Sequence, residues 1–182
     1  GASSGTVTVS GTQNFQGLQF ALDGYVLTGG TLNASNPAFI SVGAGLGAGI
    51  GSDITGGPIA KQGTGELGLG GTNSFASLDI QAGTVGVYSD TALGAGTATF
   101  AGGTTLFTGA NGLSIANAIT LTSGSVDVDT NGFNIGLSGV VDGAATLNKV
   151  GTGFLVLAGA NTYIGGTVLN AGGIVVSNNS AL

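Results

Sequence analysis

The stretch LNKVGTGFLVLAGANTY, residues 147–163, decides the fold, because residues 59–75 repeat it as IAKQGTGELGLGGTNSF. The two stretches share a lysine, two glycines, alternating leucines and an asparagine at equivalent places. After one inserted residue near Gly165 the match continues, so the two copies occupy residues 59–94 and 147–182. Internal repetition at a fixed offset is the signature of stacked structural units. The sequence therefore predicts a repeat architecture.

A shorter repeat lies inside the long one. Gly83, Gly103 and Gly124 each begin a similar short segment, at a spacing of about 20 residues. Four such steps nearly fill the long repeat, which predicts that it consists of four coils. Apolar and polar residues alternate over short runs such as residues 126–129, and this period of two indicates β-strands.

Short strands and glycine-rich turns at this spacing are what a parallel β-helix requires, since each strand pairs with its equivalent one coil away. Asn111–Gly112 and Asn131–Gly132 would then form stacked corners instead of hairpin turns. We predict an all-β fold, a right-handed single-stranded parallel β-helix (β-solenoid) of about eight or nine coils, with residues 1–182 as one segment. Gly94 follows Ala92–Leu93, whereas Ala181–Leu182 ends the second copy, so we expect a longer natural chain.

The composition excludes several classes of function. The chain has 182 residues, no histidine and no cysteine, so it contains neither a Ser-His-Asp triad nor a thiol nucleophile. Its two basic residues and net charge of −6 argue against nucleic acid as a partner, because such binding needs lysine and arginine on phosphates. No run of residues is apolar enough for a transmembrane helix.

Acidic residues offer two candidate sites, and each has a simpler interpretation. Asp127 and Asp129 could in principle act as a glycosidase pair, yet they directly precede a turn and suggest a solvated strand end. Residues 127–132 match the first half of an EF-hand loop, but Ser138 occupies the place of the bidentate glutamate. We expect no catalytic residue, no cofactor and no metal site.

Small residues suggest two further motifs that we do not favour. Residues 43–48 resemble part of a dinucleotide-binding fingerprint, but no helix can follow, which indicates a small-residue coil or flexible excursion. Thr-x-Thr pairs begin at Thr6, Thr97 and Thr120, as ice-binding solenoids require, although the intervening coils lack them. Threonine is also a common strand residue.

The second copy resembles the passenger-associated repeat of bacterial autotransporters. Residues 147–182 carry that pattern closely, and residues 59–94 carry it less fully, because Phe75 replaces the tyrosine and Ala76–Leu78 replaces the Gly-Gly-Thr segment. The residues that carry the resemblance, which we expect to be structural, are Lys61, Gly63, Gly65, Leu67, Leu69 and Asn73 in the first copy, and Lys149, Gly151, Gly153, Leu155, Leu157, Asn161, Tyr163, Gly165, Gly166 and Thr167 in the second.

The resemblance implies a Gram-negative cell-surface protein that is exported through a C-terminal outer-membrane barrel, which this sequence does not contain. We therefore expect a non-enzymatic, rigid stalk with an adhesive or self-associating role in aggregation or biofilm formation. The expected partners are other copies of the chain or host and surface ligands, with membrane attachment only through the barrel. A pure scaffold for a missing effector domain is the main alternative, and an ice-binding solenoid and a glycan-active β-helix are less favoured.

Overall fold

The computed structural model describes residues 4–180, which form β-strands and no α-helix. No helix that could span a membrane occurs in this part of the chain. The strands in chain order are β1 (Thr6–Thr8), β2 (Thr12–Phe20), β3 (Tyr25–Thr28), β4 (Thr31–Val42), β5 (Gly47–Ile50), β6 (Asp53–Gly56), β7 (Ile59–Gln62), β8 (Glu66–Leu69), β9 (Leu78–Ile80), β10 (Thr84–Val87), β11 (Ala98–Phe100), β12 (Thr105–Thr108), β13 (Leu113–Ile115), β14 (Ile119–Leu121), β15 (Ser125–Asp129), β16 (Ile135–Leu137), β17 (Val141–Gly143), β18 (Thr146–Val150), β19 (Phe154–Leu157), β20 (Thr167–Leu169) and β21 (Gly173–Val176).

The strands form three parallel sheets that run along the molecule. The long sheet has nine strands in the order β1-β3-β5-β8-β10-β12-β15-β18-β20. The second sheet follows the order β2-β4-β7-β9-β11-β14-β17, with β6 also paired to β4, and the short sheet is β13-β16-β19-β21. Each strand pairs with its equivalent in the neighbouring coil. The predicted all-β parallel β-solenoid is confirmed, and it has about eight turns.

The interior is a column of aliphatic and aromatic side chains from alternate strand positions. Val85 and Val87 lie opposite Leu67 and Leu69 in the long sheet, and all four are buried. Alternate residues of a strand point to opposite faces, so the period of two in the sequence places one set of side chains inside every coil. Contacts between apolar side chains at equivalent positions therefore hold successive coils together.

The register of strand β12 differs from the predicted one. The glycine spacing would place Gly103 beside Gly83, but Thr84 lies opposite Thr105, one residue further on. The extra residue is Thr104, which is buried at the corner and donates a hydrogen bond from Oγ1 to the Ala101 carbonyl oxygen at 2.6 Å. A shift of one residue exchanges the two faces of a strand. As a result Leu106 points inward and Phe107 points outward.

The long repeat is not four coils but four coils and part of a fifth. In the second sheet, one residue in each of the next four coils lies in register with Lys61. Lys149 comes after the last of these residues in the chain, on β18 of the long sheet. The second copy is therefore turned onto the next face of the rod. The successive partners of Lys61 are Ile80, Phe100, Leu121 and Gly143.

The two Asn-Gly pairs occupy corners between parallel strands, as predicted, but they do not stack directly on each other. Gly112 faces Asn134 in the next coil, and the Asn134 backbone N–H donates to Asn111 Oδ1 at 2.9 Å. Asn131 and Gly132 both have positive φ, of 47° and 78°. The expected match of Ala181–Leu182 to Ala92–Leu93 lies outside the described residues.

A matched pair of alanine substitutions tests the register at β12. Leu106→Ala should lower the free energy of unfolding by roughly 2–5 kcal/mol, because it leaves a cavity in the stacked interior. Phe107→Ala should lower it by about 1 kcal/mol or less, although a larger side chain is removed, because that ring lies on the outer face. Urea unfolding followed by circular dichroism measures both; the reverse order of effects would contradict this register.

Candidate functional site

Lys61 lies in the second sheet, and its side chain points into the rod. It has no exposed surface. Its Nζ donates hydrogen bonds to the carbonyl oxygens of Gly63 at 2.7 Å, Gly65 at 2.9 Å and Ala82 at 2.8 Å. An ammonium group has three N–H donors, so all of them are used. Burial lowers the pKa of Lys61 to about 8. The side chain binds its own corner and the corner of the next coil together.

Lys149 fills a similar corner one face further around the rod, with a partly different set of contacts. Its Nζ donates to Thr130 Oγ1 at 2.8 Å and to the carbonyl oxygens of Val150 and Gly151, each at 2.7 Å. A longer contact of 3.2 Å reaches the Ala171 carbonyl oxygen in the following coil. Burial lowers the pKa of Lys149, while the carboxylate of Asp129 acts in the opposite direction. Lys149 thus joins three successive coils.

The glycines beside each lysine allow the corner backbones to approach one another. Gly63 has a φ of 72°, and a Cβ on it would overlap the Val42 carbonyl oxygen. A Cβ on Gly153 would overlap the carbonyl oxygen of Phe133. Any larger residue would push neighbouring coils apart and carry the carbonyl acceptors away from the lysine. The corresponding neighbours Gly65 and Gly151 are equally crowded.

Asn73 connects three coils at another corner and is buried. Its Oδ1 accepts the Ile54 N–H at 2.9 Å, and its Nδ2 donates to the carbonyl oxygens of Gly70 at 2.9 Å and Ala92 at 3.1 Å. Asn161 holds the same place in the second copy, where its Oδ1 accepts the Val141 N–H at 2.8 Å. At these corners the backbone turns from one sheet to the next and lacks strand hydrogen bonds. The side-chain amides of the two asparagines supply partners in their place.

The remaining residues of the resemblance lie inside the rod or at its corners. Leu67, Leu69, Leu155 and Leu157 are fully buried. Tyr163 is buried and its hydroxyl group hydrogen-bonds Thr167 Oγ1. Gly166 has a φ of 75°, and a Cβ on Gly165 would overlap Ala145.

The two aspartates of β15 have partners that account for them. Asp127 Oδ1 accepts a hydrogen bond from Asn148 Nδ2 at 3.0 Å, and Asp129 Oδ1 accepts the Asn131 N–H at 2.8 Å. Both lie on the outer face of a strand that ends in the Asn-Gly corner, as the sequence suggested. They were expected to be solvated strand-end groups; Asp127 also pairs with the next strand, and Asp129 caps the turn that follows. Within residues 4–180, no three His, Cys, Asp or Glu residues are grouped as metal ligands would be.

The structure shows where the two motifs made of small residues lie. Residues 43–46 form the turn between β4 and β5, closed by the Leu46 N–H on the Gly43 carbonyl oxygen at 3.1 Å, and Gly47 and Ala48 begin β5, so the segment is a small-residue coil and not a flexible excursion. The threonine pairs do not form an array: Thr99 lies opposite Thr120, but that register places alanines beside Thr97 and Thr122. The pair at Thr6 is on a different sheet. The regular threonine face needed for ice binding is therefore missing among the described strands.

A groove on the outer face of the long sheet was not predicted from the sequence. It has a volume of about 480 Å³ and crosses the strands from β3 to β10. Gly49 and Gly68 lie opposite one another in successive coils and form its floor, and Gly86, in the coil after them, lies beneath the Tyr88 ring. Tyr25, Val26 and Tyr88 line its sides, together with the carboxylates of Asp23 and Glu66. The signal was present as glycines at outward positions of three strands, but it becomes visible only in the correct register.

Tyr88 is the main exposed aromatic residue of this groove. Its ring lies over the glycine floor, since a Cβ on Gly68 or Gly86 would stand 3.0 or 3.2 Å from Tyr88 Cε2. The side chain is nevertheless 47% exposed. Burial of part of the ring, followed by the negative charge of Glu66, raises the pKa of Tyr88. The phenol is therefore neutral at physiological pH and offers an aromatic face beside a carboxylate.

Comparison with known proteins matches two segments of the chain, residues 59–87 and 147–176, to the family described as Passenger-associated-transport-repeat. The chain is also 36% identical over 189 residues to the protein named Adhesin BmaC autotransporter of Brucella suis biovar 1 (strain 1330). That alignment covers 95% of this chain but 6% of the relative, so the chain spans a small part of its length. No solved structure matches the chain.

A substitution of the buried asparagine tests its role in joining the coils. Asn73→Ala should lower the free energy of unfolding by roughly 1–3 kcal/mol, because it leaves the buried Ile54 N–H without an acceptor. Asn170→Ala, at an exposed position, is the matched control and should change stability by less than about 0.5 kcal/mol. Denaturant unfolding measures both, and equal effects would contradict the structural role of Asn73.

The pKa of Lys61 predicts how stability depends on pH. Below pH 8 both the folded and the unfolded chain keep the proton; between about 8 and the ordinary lysine value of 10.5, only the unfolded chain does. Since the unfolded state then binds more protons, the free energy of unfolding should rise with pH in that window, by up to about 1.4 kcal/mol per pH unit. Urea unfolding between pH 7 and pH 9.5 measures the slope.

Lys61→Met is the control for that measurement. Its slope should be shallower but not zero, because the lowered pKa of Lys149 acts in the same direction. Restricting the range to pH 9.5 limits the opposite contribution of Tyr88, whose raised pKa favours proton binding by the folded state at higher pH. Identical slopes for the two proteins would show that Lys61 does not cause the effect.

Proposed function

We propose that this chain, which carries the passenger-associated repeat, is a segment of an autotransporter passenger and serves as a non-enzymatic, cell-surface stalk whose outer faces make adhesive or self-associating contacts. The observation that carries the proposal is the use of Lys61, Lys149 and Asn73. These polar side chains bind the backbone of adjacent coils and do not converge on a cleft. Their arrangement supports a mechanical role.

The geometry suits a stiff projection. Nine parallel strands in the long sheet, at about 4.8 Å per strand spacing, make a rod roughly 40 Å long. Each coil contacts its neighbours through strand hydrogen bonds and stacked apolar side chains, and the two buried lysines add corner contacts to the coils beside them. Such quasi-one-dimensional stacking transmits force along the axis and gives every coil an equivalent outer face.

The outer polar rows support an adhesive role. On the second sheet, Asn33 Nδ2 donates to Asn14 Oδ1 at 2.8 Å, and Thr55 Oγ1 donates to Asn33 Oδ1 at 3.1 Å, so one polar row continues over three coils. A regular row of this kind offers many weak hydrogen-bonding contacts, which add up when two rods align. The relative carries the name adhesin. A scaffold that binds nothing and only positions an effector domain is the second candidate.

Homotypic adhesion should depend on salt in a direction that the charges determine. Every exposed charged side chain of the described rod is acidic, so two rods repel at low ionic strength. Beads coated with the chain should aggregate more at 0.15 M salt, where the Debye length is about 8 Å, than at 0.01 M, where it is about 30 Å. Light scattering measures aggregation, and attachment of single beads to host-cell surfaces measures adhesion.

Matched variants locate the contact. Asn33→Asp places an extra negative charge in the polar row and should weaken aggregation, whereas Asn170→Asp adds the same charge elsewhere and should have little effect. Beads coated with an unrelated acidic protein show whether salt alone causes clumping. If coated beads neither aggregate nor attach at any salt concentration, the scaffold role is correct and the adhesive role is wrong.

A further inference from the structure

The groove on the long sheet contains a glycine, Gly49, that packing within the rod does not require. Gly49, Gly68 and Gly86 do not have the positive φ that favours glycine. A Cβ on Gly49 would make ordinary contacts of 3.5 Å with Val26. Glycine inside a strand weakens it by roughly 0.5–1 kcal/mol relative to alanine. Gly49 is therefore a local cost of stability that leaves the groove open for close approach by another molecule, whereas Gly68 and Gly86 make room for the Tyr88 ring.

Two of the polar groups that face this groove are not used by the rod. Within residues 4–180, neither the Glu66 carboxylate nor the Tyr88 hydroxyl group takes part in a hydrogen bond. Asp23 uses one oxygen, Oδ1, to accept the Gly47 N–H at 2.7 Å. The groove thus combines an exposed aromatic face with carboxylate oxygens that remain available to a ligand.

Charge selects the ligand class. The chain has two basic residues, and both are completely buried, while eight acidic residues provide the remaining charge. Anionic ligands are repelled by this surface, and a cation is attracted to it. A second copy of the chain cannot supply the cation, because its own lysines are inside the rod. The occupant of the groove therefore comes from a different molecule.

We propose that the groove between β3 and β10 binds an arginine-bearing extended peptide segment of a heterologous surface protein. A guanidinium group stacks on a tyrosine ring and forms paired hydrogen bonds with a carboxylate, and Tyr88 with Glu66 offers both. The groove crosses three strand spacings, roughly 14 Å, which matches about four residues of extended chain. This inference rests on the adhesive role proposed above and names a partner class for it.

The test uses the 182-residue chain and a capped Gly-Arg-Gly-Arg-Gly peptide. Amide resonances of Gly47, Gly49 and Gly68, which line the groove, report on it directly in a nitrogen-proton correlation spectrum. We expect these signals to shift on titration and the affinity to fall with salt. Replacement of both arginines by citrulline, which keeps the shape and removes the charge, should weaken binding at least about tenfold.

Variants of the groove separate binding from folding. Tyr88→Ala and Glu66→Gln should each weaken peptide binding by about fivefold to thirtyfold. Gly68→Val should block the floor and abolish the shifts. Phe39→Ala, which removes a similarly exposed aromatic side chain from the second sheet, is the matched control and should bind as the parent chain does. Circular dichroism and thermal unfolding confirm that each variant is folded.

The result that overturns the proposal is equal binding of the arginine and citrulline peptides, or shifts that do not involve the groove. Binding of neutral oligosaccharides that depends on Tyr88, without peptide binding, also overturns it, as does loss of bead aggregation in Tyr88→Ala without any peptide effect. The bead experiment is independent of the peptide titration. If the beads aggregate but the groove does not bind the peptide, this inference alone is refuted. If the chain binds the peptide but its beads neither aggregate nor attach, the adhesive role alone is refuted.

Discussion

The structure depends on one constraint: each coil must lie within a strand spacing of the next at every corner as well as along every strand. Strand hydrogen bonds maintain about 4.8 Å along the sheets, but at a corner the backbone leaves the sheet and its carbonyl groups lose their partners. Lys61 and Lys149 restore those partners with ammonium donors, and Asn73 does so with an amide. The adjoining glycines permit the approach.

Burial of a lysine without a carboxylate partner is unusual, because a charge in a dry interior is costly. Here three carbonyl dipoles replace water around Lys61 Nζ, and the lowered pKa shows that part of the cost remains. The compensation is specificity. Only a corner with converging carbonyl oxygens accepts the ammonium group, so a strand displaced by one residue would bury an unpaired charge. We infer that the main effect of the lysine is to raise the free energy of incorrectly registered strands, and that it contributes less to the stability of the correct fold.

The sequence was sufficient for the fold class, because repetition and alternation both arise from local chemistry repeated along the chain. It was insufficient for the register at Thr104, because the sequence pattern does not distinguish a threonine in a strand from a threonine at a buried corner. It also gave the wrong phase for the long repeat: the Lys-x-Gly-x-Gly corner forms between the second and long sheets at Lys61 and between the long and short sheets at Lys149. The corner motif specifies a kind of turn but not which face follows it.

The groove was missed because Gly49, Gly68 and Gly86 look like turn residues until their strands are aligned.

The interior and the surface of this rod are linked through the same two residues. Placing both basic side chains in the corners fixes the coils, and it also leaves an outer surface on which acidic groups have no basic neighbours. Contacts between two copies must then be formed by neutral groups such as the Asn14 and Asn33 row, where no ionic attraction is possible. Contacts that use the carboxylates must involve a cationic molecule of another kind. The requirement for well-stacked corners therefore divides the outer surface into faces suited to like partners and a groove suited to unlike ones.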